Sequence, residues 1–574
     1  MHQGCPHPRQ KCVFRQVWPT LLLAALLAFG APATAAAEPG AGLALMAEEV
    51  LRVVDVEGEL LAGPETKNPT AQSATIDPRD GFVGGNPQLR RLVPPDYEDG
   101  IAQLATHGRL SPREISNLVL SQSSSVLSGK NASDMVWQWG QFLDHDIDLT
   151  EPDEEHPEHE PIPVPLGDPF FDPLGTGTVT IPFTRSVFDP TTGTSLANPR
   201  QQRNDITDVI DASNVYGSDP ARTLALRTLD GTGRLATSAG DLLPFNTFGL
   251  PNAGGASRTD LFVAGDVRVN EQAGLTAMHT LWMREHNFWA DKIGQTNQHL
   301  TGDQIFEAAR AMVTYEMQSI TFNEFLPVIL GEDALGPYPG HDPGVDPGVL
   351  NVFSTAAYRL GHTMLSPQIL RLDAQGNPLP EGPLALRDAF FNPSAITSVG
   401  IDPYLKGLAN QVMQRIDHML VDDVRNFLFG PPGAGGLDLG SLNIQRGRDH
   451  GLPDYNTFRI AYGLTPAADF SDVSSDPGVQ ARLASAYLDV NEIDPWVGAL
   501  AEDHISGDVL VGELLFAALT DQFQRMRVGD PNWYQNRLSP AAAKAIEKQT
   551  LAKVIARNTA IPRGHLQKNV FVVP

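Results

Sequence analysis

The stretch SDMVWQWGQFLDHDIDLT, residues 133–150, sets an amide, a carboxylate and an imidazole on one side of a predicted helix. Ser133 stands where an N-cap belongs, just before an apolar run. Gln141 and His145 are four apart and share a face, and Asp144, three after Gln141, lies on that side. Asp146 points elsewhere. Such groups can orient a polar ligand and move a proton. They are costly beside Trp137, Trp139, Phe142 and Leu143, unless that face simply meets water. On this segment alone the surface helix is an equal reading.

Three further segments carry candidate chemistry. In AAYRLGHTMLSPQIL, His362 is either a satisfied core histidine or an axial nitrogen for a haem iron, since no thiolate is available for that role. Arg359 lies one turn before it, where a cation could meet a propionate. In DLGSLNIQRGRDHGLPDYN, Asn443 could accept or orient the imidazole N–H, and Arg446 could add a second propionate contact. The alternative for RGRDHG is an internally paired charged loop. In AGDVRVNEQAGLTAMHTLWMREHNFW, Arg268 and Glu271 precede a helix expected to start near Leu275. His279 and His286, seven apart on it, read as packing or surface positions rather than metal ligands. In NDITDVIDASNVYGSD, Thr207, Asp211 and Ser213 alternate with apolar residues; with Asp146 they offer the hydroxyl and carboxylate oxygens that calcium takes. A polar-edged strand and turn is the equal alternative there.

These residues need a large scaffold. The chain has 574 residues. Residues 1–37 have the pattern of a secretory signal: Arg9, Lys11 and Arg15, then an apolar run centred on Leu21 to Phe29, then Ala33-Thr34-Ala35 and Ala35-Ala36-Ala37 as cleavage sites. The expected product is a secreted or periplasmic protein beginning near Ala36 or Glu38. Its only cysteines, Cys5 and Cys12, fall in the removed part, so no disulfide, thiolate ligand or catalytic cysteine is expected. Losing three basic and no acidic residues takes the net charge from −27 to −30, which disfavours nucleic acid and anionic membranes. No later stretch has the length and apolarity of a membrane span.

Residues 38–74 are weakly patterned and read as a flexible lead-in. Residues 75–574 show no long linker and no repeat, and read as a single large, mainly α domain with few short strands. Loops are expected over 151–205 and 331–350, and the acidic DEEHPEHE (153–160) reads as a solvated face. Thr301-Gly-Asp-Gln304 resembles a capping box opening a run to Leu330. Residues 402–429 show helical apolar spacing, and Ser539-Pro540 opens an Ala-rich helix.

Taken in order, LSPREISNLVL, WGQFLDHDID, DASNVYGSD, MHTLWMREHN, LGHTMLSPQ, LNIQRGRDHGLPDYN and DVLVGELLFAALTDQFQRMRVGDPNWY closely resemble the animal-type haem peroxidases of the peroxidase–cyclooxygenase superfamily, over about residues 75–574. The resemblance implies b-type haem and calcium as cofactors. It implies His145 as the distal histidine, Gln141 as the distal glutamine and Arg268 as the distal arginine. His362 matches the proximal iron ligand and Asn443 its hydrogen-bond partner. Asp144 and Glu271 match the carboxylates that ester-link haem in mammalian members. Asp146, Thr207, Val209 through its carbonyl, Asp211 and Ser213 match the calcium site, and Arg359 and Arg446 the propionate partners.

Three departures qualify the match. Gln272 replaces the methionine that forms a sulfonium link to haem in one mammalian member. The family's disulfides are absent. Arg359 stands where cyclooxygenases hold a radical tyrosine, with Tyr358 one residue off. The implied activity is reduction of hydrogen peroxide with oxidation of halides, thiocyanate or small phenols. The rivals are a haem fatty-acid dioxygenase of the same superfamily and a non-catalytic, secreted calcium-binding protein. Retention of His145, Arg268 and His362 together argues against the second.

Overall fold

In the computed structural model, residues 46–51, 88–153, 156–505 and 508–574 are described. The expected signal segment, both cysteines, most of the lead-in, residues 75–87 and two residues of the acidic loop lie outside them. Helix α1 (Met135–Ile147) and helix α2 (Ala273–Thr296) pack side by side and carry one wall of the site. Around α2 pack α3 (Gly302–Ile320), α4 (Asp402–Asn410) and α7 (Leu551–Asn558). The opposite wall is a 3₁₀ turn, Ala357–Thr363, which packs on α1 and on α6 (Glu513–Gly529). Helix α5 (Leu439–Asp449) lies behind that turn. Strands are few, as expected. β1 (Ile162–Pro163) pairs antiparallel with β2 (Thr180–Ile181), and β3 (Gln368–Ile369) with β4 (Leu384–Ala385). Among the described residues no helix is long and apolar enough to cross a membrane.

Helix α1 is buried except for the half-buried Gly140, Gln141 and Asp144, which removes the surface-helix reading. Met135, Trp139, Phe142, Leu143 and Ile147 are inaccessible. Burying each contributes about 1.5–3 kcal/mol. The helix starts one residue later than its expected cap. Asp134 holds the N-cap position, and its carboxylate accepts the Ser366 hydroxyl at 2.8 Å instead of capping. Ser133 is drawn to the C-terminal tail: its N–H donates to Phe571 and its hydroxyl to Val570, while that oxygen accepts the Met135 N–H at 3.3 Å.

The predicted capping box at Thr301 and Gln304 is present, and the helical run reaches Leu330 through a π-turn at Thr321–Phe325. Ser539 caps the helix Pro540–Ile546. The continuous helix expected over 402–429 is broken. After Asn410, the N–H groups of Met413, Gln414, Arg415 and Leu420 donate to Ala132, Met364, Val126 and Leu120. Neighbouring segments thus satisfy this backbone, and the helical pattern resumes only at Asp422–Arg425. Within the expected lead-in, residues 46–51 are helical, with Met46 and Val50 in the core and Glu49 accepting from Ser539.

Candidate active site

The turn before α2 is pinned to α1 by a chain of amides. Gln272 caps α2 by accepting the Gly274 N–H at 2.6 Å, and its Nε2 donates to Gln138 at 2.6 Å and to Gln141 Oε1 at 3.0 Å. That fixes the Gln141 amide, whose Nε2 donates to Glu271 Oε2 at 2.9 Å. Gln272 therefore does structural work at the position where the sulfonium-forming methionine would stand. Arg268 reaches across the same junction. Its Nη2 donates to the Asp148 carbonyl at 2.9 Å, and its Nη1 lies 3.4 Å from Asp144.

The residue that organises this wall, Asp266, was not among the sequence candidates. Its two oxygens accept Nε and Nη2 of Arg268, each at 2.9 Å, and Oδ1 also accepts the Arg268 N–H at 2.8 Å. His145 Nδ1 lies 3.3 Å from the same Oδ1. The available signal was the spacing in GDVR, where an aspartate two residues ahead closes a local turn on the arginine's own N–H. Gly265 lets this segment approach the short helix Ser213–Tyr216, since a Cβ there would collide with the Ser213 carbonyl.

Burial, reinforced by the Arg268 charge, holds the His145 imidazole well below its ordinary range, with Asp266 opposing. His145 is therefore neutral at pH 7. Its Nδ1 lies toward Asp266 without completing a hydrogen bond among the described residues, and the nearby carboxylate favours a proton there, which leaves the Nε2 lone pair free as a base. Burial likewise pushes Asp144 up to about 8, with repulsion from Asp148 adding to it, and Glu271 up to about 7. The Asp144 side chain nevertheless keeps 31% of its surface accessible. A carboxyl that is desolvated yet accessible faces an internal cleft.

His279 and His286 part company. His286 is a satisfied core histidine, between the Tyr216 hydroxyl and the Gly233 carbonyl, both at 2.9 Å. His279 stacks edge-on against Phe142, with its ring 6.3 Å from that of His145, and the Asn214 backbone is a polar neighbour. Among the described residues, no three His, Cys, Asp or Glu side chains converge as a metal cage.

On the facing wall, His362 and Arg359 project from the 3₁₀ turn, and Asn443 from α5. Asn443 Nδ2 lies 2.7 Å from His362 Nδ1, while its Oδ1 accepts Arg359 Nη1 at 2.9 Å. The amide thus donates to the imidazole instead of accepting from it, and the His362 proton rests on Nε2. Burial, then the Arg359 charge, lowers His362 to about 3. Arg359 also donates to the Ser354 carbonyl at 3.0 Å, but among the described residues no carboxylate pairs with it. Burial lowers its pKa and repulsion from Arg446 adds to this, while Asp148 and Asp144 oppose. Arg446, in contrast, is held by Asp449 at 2.9 Å, Ser186 at 2.8 Å and the Phe183 ring. Tyr358 stacks on Phe353 at 4.8 Å, and its hydroxyl has no partner among the described residues.

Behind His145, oxygens crowd together. Asp146 Oδ1 and its carbonyl each lie 3.0 Å from Ser213 Oγ. Thr207 Oγ1 lies 3.0 Å from Asp211 Oδ1, 3.3 Å from Ser213 Oγ and 3.3 Å from the Asp146 carbonyl. Two hydroxyl protons cannot serve all these contacts. Burial raises both carboxylates, and the Asp211 charge raises Asp146 further. The N–H groups of Ala212 and Asn214 donate to Asp146, with Ala212 held at φ 63°, a strained conformation for a residue with a Cβ. Val209 is buried in the same loop, and its carbonyl accepts no hydrogen bond among the described residues.

Comparison with known proteins places the chain in a family. The family profile described as animal haem peroxidase matches residues 83–571. Peroxinectin A of Dictyostelium discoideum is 37% identical over 472 residues, 80% of this chain and 87% of that protein. Thyroid peroxidase of Sus scrofa is 35% identical over 85% of this chain, which spans 58% of that longer protein. The solved structure of peroxidase A from Dictyostelium discoideum superposes with a TM-score of 0.78 at 34% identity, covering 84% of this chain and 95% of its own. A fatty acid alpha-dioxygenase from Arabidopsis thaliana superposes with a TM-score of 0.72 at 19% identity, covering 86% of this chain and 81% of its own, a likeness of fold alone.

Proposed function

Because the chain belongs to the animal haem peroxidase family, we propose that it reduces hydrogen peroxide between the His145 and His362 walls, with Arg268 and Gln141 completing the peroxide side. The family's cofactor is haem, and the residues here suit it. Two walls bearing imidazoles face an internal cleft, and Arg359 carries a cation without a carboxylate, as a propionate would require. His362 would ligate through Nε2. That needs the Asn443 amide turned over, so that Oδ1 accepts the Nδ1–H and Nε2 is freed. Arg359 must release Oδ1 for this, as it does when a carboxylate draws its guanidinium away. Propionate binding and iron ligation are thereby linked through one amide. Arg446 would assist at the second propionate.

Bound haem supplies the iron that takes up peroxide and accepts the electrons of the donor. The chain's own residues handle protons and charge. His145 Nε2 takes the proton from one peroxide oxygen and returns it to the departing oxygen, a role worth roughly 10²–10⁴-fold. Arg268, fixed by Asp266, stabilises the negative charge that grows on that oxygen. Peroxide plus two protons and two electrons leaves as two waters, and the electrons come from a halide, thiocyanate or a small phenol.

Calcium held by Asp146, Thr207, Val209, Asp211 and Ser213 would replace the crowded oxygen contacts with ligand bonds and anchor α1 one residue from His145. Ester links from Asp144 and Glu271 to haem are supported by their place on the cleft and by carboxyls that near pH 7 are largely neutral at Asp144 and about half neutral at Glu271. The basic, apolar and A-x-A pattern of residues 1–37 supports export.

The reading rests chiefly on the neutral, Asp266-oriented His145 beside Arg268. His145→Ala should keep the Soret band yet react with peroxide at least ~10²-fold more slowly in stopped flow, while His362→Ala should lose stable haem binding. An unchanged peroxide rate in the first, or a full Soret band in the second, would refute the assignment.

A further inference from the structure

A run of aromatic rings leaves the His362 wall and ends in a pocket on another part of the molecule. Tyr358, four residues before His362, packs edge-on against Phe523 at 5.7 Å. Phe523 meets Phe322 at 6.0 Å, and Phe322 meets Trp533 at 4.8 Å. Trp533 then contacts Tyr534 at 5.1 Å and Tyr338 at 6.0 Å. These last three rings line a pocket of about 480 Å³, together with Phe322, Leu335 and Arg527. Part of its wall is the 331–338 loop.

We propose that this pocket is a second donor site, where phenols too bulky for the cleft are oxidised by electron transfer along the aromatic run. The proposal rests on the peroxidase reading above, which supplies the oxidant, hydrogen peroxide. Each peroxide takes two electrons and two protons and becomes two waters. Two phenols in the pocket, one after the other, each lose one electron and one proton and leave as phenoxyl radicals. The electrons travel inward through Trp533 to Tyr358.

The chemistry of the end stations fits this role. Phenylalanine rings are too hard to oxidise, so Phe322 and Phe523 only bridge. Tryptophan and tyrosine rings are oxidisable, and they stand at both ends. Tyr534 donates its hydroxyl to Glu547 at 3.2 Å, so its proton has an acceptor when the electron leaves. Trp533 can give up an electron and keep its indole proton, which Gln535 Oε1 holds at 3.2 Å. At the inner end, the Asp144 carboxyl of the cleft acts electrostatically on Tyr358. Core packing alone explains an aromatic cluster, but not one whose oxidisable rings line a pocket with a carboxylate ready for the proton. Trp533 and Tyr534 are themselves almost wholly buried, and Tyr338, half-buried, is the ring through which the run meets solvent.

The test uses the haem-loaded full chain, peroxide and a nitroso spin trap, with peptide mapping of the adducts. A phenol tethered to a polymer bead serves as the bulky donor and iodide as the small one. Adducts are expected at Trp533, Tyr534 or Tyr338. Trp533→Phe, and separately Trp533→Phe with Tyr534→Phe, should lose them. Both should oxidise the bead-bound phenol at least ~10-fold more slowly, a barrier change of ~1.4 kcal/mol. Their Soret bands and iodide oxidation should match wild type. Adducts confined to other residues, or bead-bound phenol oxidised by the variants at the wild-type rate or not at all by wild type, would overturn the second site while intact iodide oxidation upholds the peroxidase reading. Absent iodide oxidation in wild type would strike that reading and the second site with it.

Discussion

Asp266→Asn should uncouple His145 and Arg268, the two groups proposed to handle peroxide, while leaving the cleft's shape intact. The carboxylate takes two guanidinium N–H groups and one backbone N–H, and it faces His145 Nδ1. Asparagine has the same shape but one acceptor oxygen. Its NH₂ must face either the Arg268 guanidinium or the His145 Nδ1–H, donor against donor. The other nearby carboxyls, Asp144 pushed up to about 8 and Glu271 to about 7, are mostly and about half protonated at pH 7. Arg268 is then a buried cation compensated only in part by these two, and losing a partner in such a pair costs about 3–5 kcal/mol. The Asp148 carbonyl and the cleft face of Arg268 hold the stability loss near the low end of that range. The chemical cost is of similar size. His145 loses the acceptor that sets its tautomer, and Arg268 its bidentate anchor, so peroxide reaction should slow by at least ~10².

Stopped flow on haem-loaded protein reads this as the second-order rate of the peroxide-dependent Soret change, with resting spectrum and melting curve as controls for folding. Residues acting as one unit do not add. Asp266→Asn in a His145→Ala background should therefore cost far less than it does alone. A well-folded Asp266→Asn protein within about threefold of the wild-type rate, a difference below ~1 kcal/mol, would refute the positioning role. So would losses that multiply in the double variant.

Other outcomes follow from the same structure. Protein purified without chelator should hold about one calcium per chain by elemental analysis, and Asp146→Ala should lower both calcium content and Tm; full activity with no calcium would remove that site. After peroxide treatment, part of the haem should resist acid-acetone extraction from wild type but not from the Asp144→Ala, Glu271→Ala double variant, and equal extraction would disprove the ester links. Burial raises Asp134 from 3.8 to about 8, so the fold disfavours its ionised form and stability is lost as pH rises from about 4 to about 8. Asp134→Asn, which keeps the acceptor for Ser366, should be more stable than wild type by about 1–3 kcal/mol at pH 8. That gain should shrink toward pH 5, and a gain independent of pH in thermal melts would contradict the assignment.

Much of the site was legible because its chemistry sits on short, locally regular pieces. The four-residue spacing of Gln141 and His145 sets their shared face through helix geometry alone. The Thr301–Gln304 box and the Ser539-Pro540 start are local hydrogen-bond patterns, and they appear where expected. The mainly α character and the alternation of Thr207, Asp211 and Ser213 were readable for the same reason. Motif order along the chain pointed to the family without any knowledge of contacts.

Long-range pairing was not legible in this way. The helix expected across 402–429 fails because segments near residues 120, 126, 132 and 364 take its N–H groups, and no local signal marks such partners. Ser133 yields its cap position to Asp134 because a tail more than 400 residues away claims its hydroxyl. Asp266 is inconspicuous in GDVR until the fold brings His145 to it. The Asn443 amide, shared between Arg359 and His362, joins groups 81 and 84 residues apart. The sequence alone determined which residue types share a helix face and where helices can start, since those depend on neighbours within a turn or two. Only the tertiary structure decided which of those faces are dry. Burial in turn decides which imidazole is a neutral base, which carboxyls hold their protons and which guanidinium is left with a charge to offer.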